Sequence, residues 1–306
     1  MDANIFTLDD LHAMGLRRAD IEDRLADGKL IRLRRGWYAA DGANANVVAA
    51  LRTGAHLGCL SGCEAHGLWV PKHQGIHAAY GRGTTPRSKT GLILHPYKAK
   101  QPGSAIWPVE DCLAQVIERH DVETILVVVE SGVDKKLITQ DMAEAMVKST
   151  PHGDLRRWLG VARSGSETRV RLFFQRRNVP VRPLVNVPGV GEVDLLVGDH
   201  LLFECDSRRF HGSPEQQEVD SVRDLNAGMA DYRYIRLTTK QIWTGWDETQ
   251  VGLSAVLRKR RHIHRVRPST AKTEAGRARA RLLAEQLAQR RRVHSIGMDE
   301  DLADVL

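Results

Sequence analysis

Apolar positions recur first at helical and then at alternating spacing, and the switches between the two divide the chain into blocks. Leu8 with Leu11, and Ile21 with Leu25, give two short helical faces separated by Gly15, and Thr7 with Asp10 fits a capping box at the start of the first. Gly28 closes the second helix, and "KLIRLRRGWYAA" then predicts a basic hairpin that turns at Gly36. From 46 to 150 the segments "VVAALRTG", "PVEDCLAQVIERH" and "TQDMAEAMVKS" predict helices, while "GIHAAY" and "GLILHPY" predict strands. Ser164 and Glu167 fit S-x-x-E, a helix start, and Asn178 with Pro180 ends that helix. Val193–Val197 and Leu201–Cys205 read as strands joined by Gly198, Asp199 and His200. A further helix opens at Ser213, Pro214 and Gln216, with Val219, Val222 and Met229 on its apolar side, and Tyr232–Leu237 predicts a last strand.

Composition narrows the setting. The 306 residues carry a formal charge of +7, which favours an anionic partner without choosing among nucleic acid, membrane surface and acidic protein. No apolar run approaches the roughly 20 residues that span a bilayer, because "ETILVVVESG" is short and interrupted by charge. Cys59, Cys63, Cys112 and Cys205 form no secreted-type framework, and "MDANIFTLDD" lacks a signal pattern. A cytoplasmic protein with no membrane partner is the expectation.

Two helices followed by a basic hairpin predict a winged helix-turn-helix over residues 1–42. Arg17 and Arg18 at the helix start, and Lys29, Arg32, Arg34 and Arg35 on the wing, are its candidate DNA contacts. Asp20, Glu22, Asp23 and Asp27 on the same helix repel phosphates, so contact with the backbone is favoured over base reading, and a protein-interaction module is the competing use. Cys59, Cys63 and His66 are spaced C-x3-C-x2-H, with His56, His73 and His77 nearby, which raises a zinc site. Cys59 and Cys63 lie one helical turn apart in an apolar stretch, and the stronger reading makes them core residues.

The sharpest chemistry lies in "GEVDLLVGDHLLFECDSRRFHG". With a three-residue turn, Val197 faces Leu201 and Asp194 falls across from Glu204, about 5 Å apart at Cβ. Asp206 lies two residues beyond Glu204, while Leu201, Phe203 and Cys205 supply the core-facing side. A shift of one residue would put Asp194 and Glu204 on opposite faces. Clustered carboxylates raise one another's pKa unless a cation sits between them, and hard oxygen donors suit Mg²⁺ or Mn²⁺. Glu167 shares a helix face with Val170 and Phe174 and is either a further oxygen ligand or an N-terminal cap. Arg223 is a candidate phosphate contact, with an ordinary ion pair as its alternative.

Residues from about 164 to 243 resemble the very-short-patch-repair-like branch of the PD-(D/E)XK nuclease superfamily. The matching pattern is Ser164 to Glu167, "VDLLV" with Asp194, "FECDSRRFHG" with Glu204, Asp206 and His211, then "DSVRD" and a following strand. The N-terminal unit is similar to the winged-helix domain of AbiEi-like type IV antitoxins, and "CLSGCEAHGLW" resembles the middle region found with it. The resemblance implies an α/β protein: a winged helix-turn-helix at 1–42, a mixed α/β middle region at 43–155, a restriction-endonuclease-like α/β/α domain at 156–260, and a basic helical or disordered tail at 261–306. It implies Asp194, Glu204 and the Cys205 carbonyl as ligands of one or two Mg²⁺ or Mn²⁺ ions, and Glu167 as the helix-borne acid. The superfamily's usual lysine, two residues after the second acid, is here Asp206. The general acid or base is then His211 or comes from elsewhere, with an ordinary surface histidine as the alternative role of His211, and Arg208, Arg209 or Arg223 would steady the phosphate. The resemblance leaves two functions open: a metal-dependent DNA endonuclease, or a non-enzymatic regulator or antitoxin with a degenerate nuclease fold, partnered by DNA and by a cognate toxin or a second copy of the chain. "PGVGEV" lacks the spacing of a phosphate-binding glycine loop, and no G-x-S-x-G is present.

Overall fold

A computed structural model describes residues 4–87, 91–188, 190–206, 225–228 and 232–263. Most of the helix predicted from Ser213 (residues 225–228 of it are described and helical), most of the basic tail, and Arg208, Arg209, His211 and Arg223 lie outside the described residues.

The first block forms as its capping pattern dictates. β1 (Ile5–Thr7) leads into α1 (Leu8–Ala13), where Asp10 N donates to Thr7 Oγ1 at 3.1 Å and Thr7 N donates to Asp10 Oδ2 at 2.7 Å. This reciprocal pair satisfies two of the donors a helix start leaves open. After α2 (Arg18–Ala26), β2 (Leu30–Arg34) and β3 (Trp37–Ala40) close an antiparallel sheet of order β1-β3-β2. Leu11, Ile21, Leu30 and Tyr38 make a small core between these helices and the sheet. The other face of the sheet packs on the middle of the chain. Ile5, Leu33 and Ala39 cluster with Val47, Leu51, Leu57 and Ala78, so one core crosses position 42.

Next come α3 (Ala45–Thr53), β4 (His56–Leu57), α4 (Cys59–Ala65), β5 (Ile76–Tyr80) and β6 (Leu92–Pro96). β5 is the centre of a second sheet, antiparallel to β4 and parallel to β6. Three helices come after it: α5 (Val109–Arg119), α6 (Val122–Asp134) and α7 (Gln140–Val147). α6 contains the β-branched run that breaks helix propensity, yet it is helical because Asp121 caps it and every residue from Ile125 to Gly132 is buried. Tertiary packing around the whole circumference outweighs the intrinsic preference of Ile and Val for strands.

After a short 3-10 turn at Arg156–Trp158, the last block comprises α8 (Gly165–Gln175), β7 (Val181–Val187), β8 (Gly191–Val197), β9 (Leu201–Asp206), β10 (Arg233–Thr238), α9 (Thr239–Trp243) and α10 (Trp246–Arg258). The sheet order is β10-β9-β8-β7, with β7, β8 and β9 antiparallel and β10 parallel to β9. Val170, Phe173 and Phe174 of α8 cover one face, against Leu195, Val197, Leu201 and Phe203. Val187, Leu196, Leu202 and Ala227 build a separate cluster on the other.

α8 is fastened to the middle of the chain through α6. Arg171 and Glu130, only 1% and 2% exposed, form an ion pair across the two helices. Gly165 meets Trp69 so closely that a Cβ there would lie 2.3 Å from the indole Cε3, and Trp69 in turn stacks on Trp243 at 4.7 Å. The chain is a mixed α/β protein in which the described residues form three small sheets with helices between and over them. Among the described residues no helix is long and apolar enough to cross a membrane.

Candidate functional site

The acidic hairpin has the register its turn predicts. Val197 pairs with Leu201, Leu196 with Leu202 and Leu195 with Phe203, and the paired register ends there, one residue short of Asp194 and Glu204. Gly198 makes the turn possible for two reasons. Its φ is +63°, a conformation that disfavours a Cβ, and a Cβ would also lie 2.2 Å from the His262 carbonyl oxygen. Asp199 N donates to the same oxygen at 3.2 Å, which fixes the turn against the end of α10.

Asp194 sits where regular pairing stops. The β7–β8 ladder runs through Pro183 with Leu195 and Val185 with Val193 but omits Leu184, whose φ is +49°. The Asp194 carboxylate turns to β9, where Cys205 N donates to Oδ2 at 2.7 Å. An ionised acceptor here replaces the carbonyl of an ordinary strand pair. Glu204 pairs with Arg236 of β10, Nη2 to Oε2 at 3.4 Å. Burial and then this carboxylate push the Tyr234 hydroxyl up. Asp206 is the last residue of β9 and lies opposite Thr238.

Glu167 enters from α8, 6% exposed. Ser164 caps that helix, accepting from Glu167 N at 3.3 Å, and its hydroxyl donates to Glu167 Oε1 at 2.9 Å. Arg163 N donates to Oε2 at 2.9 Å. Arg163 itself forms an ion pair with Glu192 of β8. Burial raises the Glu167 carboxyl above its ordinary value; the Arg163 N–H opposes this and the Asp194 charge adds to it. Cys205 lies among all three acids. Burial first, then Asp194, Glu167 and Glu204, push its thiol well up. Acids from α8, β8 and β9 thus converge on one residue. Among the described residues they do not bring three ligand atoms within 4.8 Å of one another, so Glu167, Asp194 and Glu204 surround the place without closing on it.

The raised Glu167 carboxyl has a measurable consequence. An acid whose folded pKa lies above its unfolded one binds its proton more tightly when folded, so stability falls as pH rises from the ordinary value of 4.5 toward the raised one. Glu167→Gln removes that loss. Urea midpoints of the two proteins, measured across this window in metal-free buffer, are expected to shift in favour of the variant as pH rises; parallel curves would contradict the assigned burial.

The candidate DNA contacts divide into three groups. Arg17, Arg32 and Arg35 are exposed. Arg18 and Lys29 are exposed but paired, with Glu22 at 2.8 Å and Asp27 at 3.2 Å. Arg34 is turned inward, where it donates to the Gly54 carbonyl at 3.2 Å and to His56 Nε2 at 2.6 Å. The reason is a register shift between Arg32 and Arg34, which breaks the alternation expected of a regular wing strand.

The C-x3-C-x2-H spacing does not assemble a metal site. His66 Nε2 donates to the Trp107 carbonyl at 2.8 Å, and Cys63 is buried beside Cys112 in the core. His56 Nδ1 is engaged by the Ser104 carbonyl at 2.6 Å. Among the described residues, Cys59 and His77 from in and around that spacing do share a metal-candidate group, but its third member is His95 of β6, which lies outside it. Comparison with protein-family models finds no match for this chain, and comparison with curated proteins finds none either.

Proposed function

We propose that the chain is a DNA endonuclease dependent on Mg²⁺ or Mn²⁺, with its site at the middle of β8 and the C-terminal end of β9. The observation that carries this reading is the convergence of Glu167, Asp194 and Glu204 on Cys205. Like charges brought close together favour a cation between them. The donors are all oxygen, as a hard ion requires. The resemblance to PD-(D/E)XK nucleases supports the same reading, since it implies a helix followed by an antiparallel hairpin that carries the acids. Asp194, Glu204 and the Cys205 carbonyl would hold the metal, and when bound it would supply a Lewis acid for the scissile phosphate and a lowered pKa for the attacking water.

The protein's own groups would do the rest. Arg163 N–H and the Ser164 hydroxyl orient Glu167, Cys205 N–H orients Asp194, and Arg236 stands beside Glu204. Arg17, Arg32 and Arg35 on the N-terminal helices and hairpin, read as a winged helix, would touch phosphates. His211, Arg208, Arg209 and Arg223 keep the roles the resemblance gives them.

A second reading is favoured by two observations: Asp206 stands where the superfamily's lysine would, and Glu204 is already paired with Arg236. It makes the chain a non-enzymatic regulator or antitoxin that binds DNA together with a cognate toxin or a second copy. Purified protein incubated with plasmid and mismatched duplex DNA in Mg²⁺, Mn²⁺ or EDTA separates the two. Nicking or cleavage that EDTA abolishes supports the endonuclease. Salt-sensitive binding without any cleavage supports the regulator and overturns the first reading.

A further inference from the structure

A second convergence of chemistry-bearing side chains lies away from the acidic hairpin. Cys59 opens α4, His77 is in β5 and His95 in β6, and all three are buried. Their donor atoms lie within 4.8 Å of one another. His77 Nδ1 is 3.0 Å from His95 Nε2, and His120, immediately after α5, brings its Nε2 to 3.1 Å from Cys59 Sγ. The His77 and His120 rings are 5.4 Å apart. His73 stacks edge-on to His77 at 5.0 Å on the more exposed side, with its Nε2 3.8 Å from a Glu64 carboxylate oxygen. These residues are spread from 59 to 120, and the parallel pairing of β5 with β6 and the end of α5 bring them together.

Such a group is unusual as mere filling. Burial, and next the neighbouring histidines, lower His77 to about 3, while burial and Arg119 lower His95 to about 4. Burial raises the Cys59 thiol to about 12. His77 and His95 are therefore neutral at neutral pH, each with one unprotonated ring nitrogen. Cys59 also holds a φ of +49°, a conformation strained for a non-glycine residue that persists where the surroundings impose it. Tetrahedral coordination with metal–nitrogen bonds of about 2.0–2.1 Å and a metal–sulfur bond of about 2.3 Å sets donor atoms about 3.3–3.6 Å apart. The contacts of 3.0 and 3.1 Å lie a little below these spacings, and Cys59, His77 and His95 already lie within 4.8 Å of one another; His120 touches Cys59 but lies outside that group, so it would have to swing inward to become the fourth ligand.

We propose that Cys59, His77, His95 and His120 form a binding site for a zinc-class divalent ion. One sulfur and three nitrogens suit a borderline-soft ion in tetrahedral geometry and do not suit Mg²⁺ or Mn²⁺, so this site is chemically separate from the acidic hairpin. On binding, the Cys59 thiol releases its proton to solvent and coordinates as thiolate, the three imidazoles coordinate as neutral ligands, and the complex keeps a single positive charge. Four protein ligands leave no open position, so the ion would be structural, joining α4, β5, β6 and the end of α5.

The test uses the full chain with any affinity tag removed, stripped with chelator and titrated with Zn²⁺ and, separately, Co²⁺. The expected result is one ion per chain, a thiolate-to-cobalt absorption band, and a thermal midpoint that rises with Zn²⁺. Cys59→Ser should lose the band and the thermal response, Cys63→Ser should keep both, and His95→Ala should weaken Zn²⁺ binding by about tenfold or more. Asp194→Asn should bind Zn²⁺ as the parent does, which separates this site from the proposed nuclease site. Should Cys59→Ser fail to fold by circular dichroism, the parent's cobalt spectrum decides alone. Substoichiometric binding, a cobalt complex without a thiolate band, or a band lost in Cys63→Ser and kept in Cys59→Ser would each overturn the proposal.

Discussion

Replacing Arg171 by alanine is expected to destabilise the protein by about 3–5 kcal/mol, a large share of the ~5–15 kcal/mol that ordinarily holds a domain folded. The reason lies in what is left behind. Glu130 is 2% exposed and accepts from Thr168 Oγ1 at 2.7 Å and Gly160 N at 2.8 Å besides the guanidinium. Without Arg171 its carboxylate is buried with neutral partners alone. Arg171 also donates to the Trp158 carbonyl and to Gln175 Oε1, both at 2.7 Å, so the substitution frees a carbonyl and an amide as well. Removing both charges together, as Glu130→Leu with Arg171→Met, should cost clearly less than the sum of the single variants, because no lone charge is stranded. Urea denaturation of the four proteins measures the coupling. Additive losses would mean that the pair is not acting as a unit.

If the chain is the endonuclease proposed above, the other large effect is expected in cleavage. Asp194→Asn should reduce the single-turnover rate in saturating Mg²⁺ by at least about 10²–10³, the loss typical when a charge-stabilising group is removed from an active site. Asparagine keeps the shape of aspartate, and its amide oxygen can still accept from Cys205 N at the place where Oδ2 does now, at 2.7 Å. The fold is thereby preserved while the charge is lost. Glu204→Gln should be similarly inactive, and it loosens Arg236 at the same time. Glu167→Gln should cost less, since this carboxyl is already committed to Arg163 N and Ser164. Equal cleavage by Asp194→Asn and the parent would show that the hairpin is not where the metal acts.

What was legible in the sequence was local. The Thr7–Asp10 box, the Ser164 cap and the Gly198 turn all act over a few residues, and they gave both the helix starts and the hairpin register from Val197 with Leu201 to Leu195 with Phe203. What was not legible depends on residues distant in the chain. The run in α6 favours a strand until its complete burial is known. Arg171 and Glu130 carry no mark of partnership over the 41 positions that separate them. Arg34 reads as an exposed wing residue because alternation is the default, and a single bulge reverses it. His95 sits in a strand whose alternation says nothing about the thiol it will meet.

The parallel pairing of β10 with β9 also bears on the order in which this sheet can be made. β8 and β9 are joined by three residues, so their closure demands little chain entropy. β10 aligns with β9 along its whole length, Arg233 with Leu201 through Thr238 with Asp206, only after the long segment between Asp206 and Arg233 has crossed over. Non-local pairing of this kind is the slow part of folding a small sheet. Asp194 and Glu204 therefore belong to the early hairpin, whereas Arg236, the counter-charge of Glu204, arrives with the late strand. Until it does, β9 presents an unpaired edge, and this is the interval in which a nascent chain would be most open to pairing with a neighbour.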